Sequence, residues 1–187
     1  MSDYGSVFTP LLSAAQLNEL GPGKPAGATL AKLKRLSLDE AFAPHKIVDR
    51  DMASACLAGV YLFYDELDES HTISQSIETP TGSYWHGIMH RREPDYGNSK
   101  YWFQRVGAHA LFPQLRSAAL ELLAEAPTTD RFKKALEKSP DWDPFRMIDW
   151  CEDAVEEQEV AFLRAMQAVE IQGLTYYWLD QAKLPRP

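Results

Sequence analysis

The chain has few features that would support most common enzyme classes. It has no stretch of alternating polar and apolar residues, so nothing in it indicates a sheet. Its 187 residues include only two cysteines, Cys56 and Cys151, and no CxxC pair. That excludes a disulfide scaffold and a cysteine-based zinc site. There is no long basic run, and the net charge of −8 repels phosphate backbones, so no nucleic-acid partner is expected. The longest apolar run, Ala55 to Tyr64, is broken by Gly59 and is too short to cross a bilayer, so no membrane partner is expected either. The opening MSDYGSVFTP has neither the basic nor the apolar region of a secretory signal. We therefore expect a cytoplasmic protein with two buried, reduced thiols. GxGxxG, Walker and GxSxG motifs are absent, and Gly87 stands where an HExxH motif needs its glutamate.

What is present reads as helix. Three capping residues are each followed by proline, at Thr9-Pro10, Thr79-Pro80 and Asp143-Pro144. The expected fold class is all-α: an irregular multi-helix bundle of seven to nine helices around a buried central helix, as a single domain over 1–187. Residues 1–27 are expected to form an N-terminal helix from Pro10 to Leu20 and a Gly/Pro-rich loop. A short helix should run from Ala28 to Leu36. From Met52 to Tyr64 only Ser54 is polar, so Asp51 to Leu67 is expected to be the buried helix. Ala55 and Gly59, four apart, leave room for another helix to approach.

Ser70 to Glu78 is polar and β-branched and reads as an ordered connector. Helices are then expected over Pro80–Glu93, Tyr96–Val106, Leu111–Glu125 and Asp130–Lys138. The longest should span Pro144–Ile171, with an apolar face of Ile148, Cys151, Val155, Phe162, Met166 and Val169. Its other face is acidic: nine carboxylates lie between Asp141 and Glu170 against Arg146 and Arg164. Gly173 is expected to break that helix, and residues 172–187 to fold back as a C-terminal aromatic cap.

The chemistry concentrates between Asp65 and His109, which holds four of the five histidines, His71, His86, His90 and His109. Arginines, carboxylates and aromatics are interleaved with them, and such groups tune one another's protonation. The candidate ligand-binding residues are His71, Glu78, Tyr84, His86, His90, Arg91, Arg92, Glu93, Tyr101 and Trp102. His86, His90 and Glu93 fall within about 40° to 60° of one another around a helix. That spacing can offer two imidazoles and a carboxylate to a divalent metal. The same stripe, opposite Trp85, Ile88 and Met89, also reads as a solvated face. Asp65, Glu66, Asp68 and Glu69 follow the buried helix, where the helix dipole disfavours carboxylates. Arg91 and Arg92 are candidates to neutralise them in a structural ion-pair network.

The block ETPTGSYWHGIMHRREPDYGNSKYWFQRVG, Glu78 to Gly107, resembles one from a family of uncharacterised bacterial and fungal all-helical proteins. The resemblance implies that this block is the family's signature. It brings no activity with it. Two functions follow from the residues: a small polar ligand or metal site in 65–109, with an enzyme as one form of it, or a helical module whose acidic helix meets a partner protein.

Overall fold

Several helix starts in this protein are set by side chains that accept their free amides. The computed structural model describes residues 5–13, 17–35, 37–125 and 130–183. Among them are eleven helices and no strand: α1 Gly5–Ser13, α2 Gly27–Leu33, α3 Leu38–Phe42, α4 Arg50–Phe63, α5 Leu67–Ser74, α6 Pro80–Arg92, α7 Tyr96–Val106, α8 Phe112–Glu125, α9 Asp130–Glu137, α10 Pro144–Asp153 and α11 Glu157–Lys183. Asp49, Thr79, Asp95 and Asp143 cap α4, α6, α7 and α10 by accepting from backbone amides. Ser37 and Glu40 form a reciprocal capping box at α3, a helix the sequence reading passed over. The fold is all-α, as expected. No helix among the described residues is long and apolar enough to cross a membrane.

The core is built on two helices. α4 buries Met52, Ala53, Ala55, Cys56 and the whole run Ala58–Phe63. α6 is buried on every face, from Thr81 to Arg92. They pack side by side, with α5 and α7 against α6 and α11 across α4. Gly59 is the close approach. A Cβ there would lie 2.6 Å from Thr175 Oγ1 on α11 and 2.7 Å from the Trp85 ring on α6. Cys56 and Cys151 are both buried, and neither is in a disulfide.

Several elements depart from expectation, each for a local reason. α1 begins at Gly5 and contains Pro10, because the buried stripe Phe8, Leu11 and Leu12 extends to the N-terminal side of the proline. Proline inside the helix costs it a backbone hydrogen bond. Residues 14–16 lie outside the described set, and 17–19 are not helical. The connector expected from Ser70 to Glu78 is instead largely α5. Leu67, Ser70 and Ser74 give it a buried face. Its hydroxyls bond back to their own helix, Thr72 Oγ1 to the Asp68 carbonyl at 2.8 Å and Ser74 Oγ to the His71 carbonyl at 3.2 Å.

The single long helix is two helices. Ala154 leaves the helical conformation at ψ 120°, which places Glu157 and Glu159 in the first turn of α11. The helix dipole favours carboxylates there, and Glu159 also takes two bonds from Arg131 of α9, at 2.5 and 2.7 Å. Nor does Gly173 end α11. It packs against Leu111, and Leu174, Trp178, Leu179 and Ala182 carry the buried face onward. The aromatic cap is therefore the last turns of α11, as far as Lys183. Residues 184–187 lie outside the described set.

The end of α4 shows how the acids there are tolerated. Asp65 adopts the left-handed conformation, φ 61°. Its amide donates to the Leu62 carbonyl at 3.2 Å, and that of Glu66 to the Tyr61 carbonyl at 2.9 Å, a Schellman closure with aspartate in place of glycine. Asp65 is held there by three groups: Arg92 Nη2 at 2.5 Å, Asn18 Nδ2 at 2.7 Å and the Lys24 amide at 3.1 Å. Arg92 also donates to the Leu62, Gly21 and Pro22 carbonyls. One guanidinium thus neutralises the carboxylate, caps α4 and fastens the N-terminal segment.

Arg92→Met should therefore lower stability by about 3 to 5 kcal/mol, the usual cost of stripping one partner from a buried pair. Arg50→Met breaks an exposed pair with Asp39 and should cost under about 1 kcal/mol. Denaturant melts of the two variants check this, and equal losses would contradict it.

Candidate functional site

α5 and α6 bring three histidines together. His86 and His90 stand one turn apart on α6, and His71 reaches them from α5. Ring centroids are 4.6 Å apart for His71–His86, 5.3 Å for His71–His90 and 4.8 Å for His86–His90. One nitrogen from each ring lies within 4.8 Å of the others, and no other trio of His, Cys, Asp or Glu among the described residues converges in this way. His86 and His90 are only 4% and 6% exposed, so the histidines of the stripe expected to be solvated are buried, while Glu93 is exposed. The reason is that α7 folds back over them. Phe103 fills the space above Gly87, where a Cβ would lie 2.7 Å from its ring, and Ser99 Oγ donates to the Gly87 carbonyl at 2.7 Å.

That docking sets Trp102 flat on His86, with centroids 4.0 Å apart and planes 13° from parallel. The result is a stack of Trp102, His86 and His90. Arg105 lies over Trp102 at 5.3 Å. His90 is oriented by three groups. Its Nδ1 lies 3.2 Å from Glu93 and 4.0 Å from Asp95, and Asn98 Nδ2 is 3.1 Å from its Nε2. With Nδ1 donating to Glu93, the ring lone pair sits on Nε2, the tautomer a metal-binding histidine needs.

The other candidates lie elsewhere. Tyr84 points into the core and donates to Glu170 Oε1 at 3.1 Å, and Arg91 pairs with Glu170 Oε2 at 2.5 Å. Arg92 pairs with Asp65, as the ion-pair reading expected, and Glu69 takes Lys34 at 2.6 Å. Glu78 and Tyr101 are exposed. His109 is enclosed by Tyr84, Phe112, Tyr177 and Trp178. Glu93 supports His90 instead of standing beside it as an equivalent ligand. Asn98 escaped the sequence reading. Its only signal was the turn at Pro94-Asp95, which returns α7 to α6.

Burial and neighbouring charge disfavour the protonated forms of His86 and His90. Burial, then the positive charge that His90 and His71 would carry, pushes His86 down to about 3. His90 is also lowered, by burial against the opposing pull of Glu93. Neutral imidazoles with aligned nitrogens can bind a metal ion or exchange hydrogen bonds with a polar ligand.

No family model, curated protein or solved structure matches this chain.

A pH dependence follows. The unfolded chain protonates histidine near 6.5, whereas folded His86 resists until about 3. Its contribution to stability is complete above pH 6.5 and is lost as pH falls from there toward 3. His109, pushed down to about 4 by burial, acts in the same direction. In chelator-treated protein the melting temperature should fall between pH 7 and 4.5. His86→Phe, which keeps a ring against Trp102, should make that fall shallower. Identical slopes would show that His86 does not stay neutral.

Proposed function

We propose that this protein binds one divalent transition metal ion through His71, His86 and His90. The observation that supports this is the convergence of three imidazoles from two helices, two of them nearly buried. Structural reasons for one buried histidine are common. Three imidazoles, each with a ring nitrogen within 4.8 Å of the others, and a carboxylate fixing the tautomer of one support reading them as a ligand set. Imidazole nitrogens favour zinc, copper, iron or nickel over magnesium or calcium.

Nitrogens on one tetrahedral zinc stand about 3.3 Å apart, given bonds of about 2.0 to 2.1 Å. Binding therefore draws the rings together and turns His86 away from its parallel stack on Trp102. On His90 the ion takes the Nε2 lone pair that Asn98 faces. Three protein nitrogens leave a coordination position for water or a small polar ligand, which is how catalytic zinc sites are built. The site belongs to a cytoplasmic protein, in which Cys56 and Cys151 stay reduced.

Titration of chelator-treated protein with Co²⁺ tests the proposal. The expected result is 1:1 uptake, a visible d–d band and a change in Trp102 fluorescence. His71→Ala, His86→Ala and His90→Ala should each weaken binding at least tenfold with helicity retained, and Glu93→Ala by about 10- to 100-fold. His45→Ala should have no effect. No stoichiometric uptake, or equal uptake by all variants, would overturn the proposal.

A further inference from the structure

Beside the imidazoles lies a cleft of about 520 Å³, between the N-terminal segment and the starts of α5 and α7. That volume fits a small molecule of several heavy atoms. Six carboxylates line it. Two are neutralised within the protein, Asp65 by Arg92 and Glu69 by Lys34. Glu66, Asp68, Glu93 and Asp95 meet no lysine or arginine ion pair among the described residues, and the nearest base to the last two is the weakly basic ring of His90.

An acidic rim alone is common on protein surfaces. Glu66 sets this cleft apart. It forms part of the wall and is 4% exposed, and its Oε1 has no hydrogen-bond partner. The Ala26 amide meets the carboxylate, but a buried oxygen left without a donor is costly unless something supplies one.

We propose that the cleft binds an aliphatic di- or polyamine, with one ammonium group at Glu66. The lining favours this over an inorganic ion. The four carboxylates do not converge as a single-ion cage; the one such group among the described residues is the histidine trio. Pro22, Pro25 and Leu67 line the same cleft, apolar surface suited to the methylene segments between ammonium groups. A flexible chain carrying spaced positive charges matches several acids in a cleft that also has apolar surface. This inference does not depend on metal binding at the imidazoles.

Calorimetric titration of the full chain with spermidine, at low salt and with chelator present, tests it. Saturable 1:1 binding is expected, at least tenfold tighter than for butylamine or Mg²⁺, and weakening with added NaCl. Glu66→Gln should weaken it about fivefold or more. Asp68→Asn, at an exposed position, should weaken it by about fivefold with helicity retained. Glu121→Gln, exposed on α8, should leave it unchanged, as should His86→Ala. Mg²⁺ binding as tightly as spermidine would replace the amine with a simple ion site and overturn the proposal. So would equal affinity in the Asp68→Asn protein and the parent. Loss of spermidine binding in His86→Ala alone would move the ligand to the imidazoles and overturn it as well.

Discussion

α6 is buried on every face yet carries two imidazoles, two guanidinium groups and a phenol. Buried polar groups must find partners or impose a desolvation cost. The surrounding structure follows from meeting that demand. Arg92 draws in the end of α4 and the N-terminal segment through Asp65 and the Leu62, Gly21 and Pro22 carbonyls. Arg91 and Tyr84 share Glu170, which ties α11 to the opposite face. Glu170 belongs to the acidic set of the long helix, yet here it is an internal counter-ion and not part of a docking surface.

Of the two imidazoles on α6, His90 meets Glu93 and Asn98, whereas His86 packs against other imidazoles and an indole. His86 Nδ1 has no hydrogen-bond partner, and its ring lies between Trp102 and His90. Arginines on the same helix are satisfied by carboxylates and carbonyls, although some of their nitrogens also lack partners. A cluster of neutral bases is a poor device for stability alone, because protonating any one ring raises the cost for the others. Under the proposed function, the arrangement supplies lone pairs to a common electrophile.

Much of this was legible in the sequence where a local rule governed the outcome. Thr79-Pro80, Pro94 and Gly107 mark α6 and α7 closely, and the return of α7 toward the histidines followed from the short turn. The pairing of an acid after Tyr64 with Arg92, and a close helix approach at Gly59, were readable for the same reason. Features set by tertiary packing were not. The run from Ser70 to Ser76 hides a helix because its buried face is serine, not leucine, so the turn of His71 toward α6 had no apolar periodicity to reveal it. The break at Ala154 lies in a segment without glycine or proline, and only the partners of Glu159 and the packing of α10 make sense of it. Glu93 had the right helical spacing for a ligand, but its hydrogen bond to His90 Nδ1 gives it a supporting place.

The central claim is that His71, His86 and His90 bind one ion together. Anomalous diffraction at the zinc edge, from crystals of the full chain grown with Zn²⁺, tests it most directly. One peak about 2.0 to 2.1 Å from a nitrogen of each of the three rings is the predicted result. No peak between the rings, or a peak ligated by Glu93 in place of His71, would contradict it.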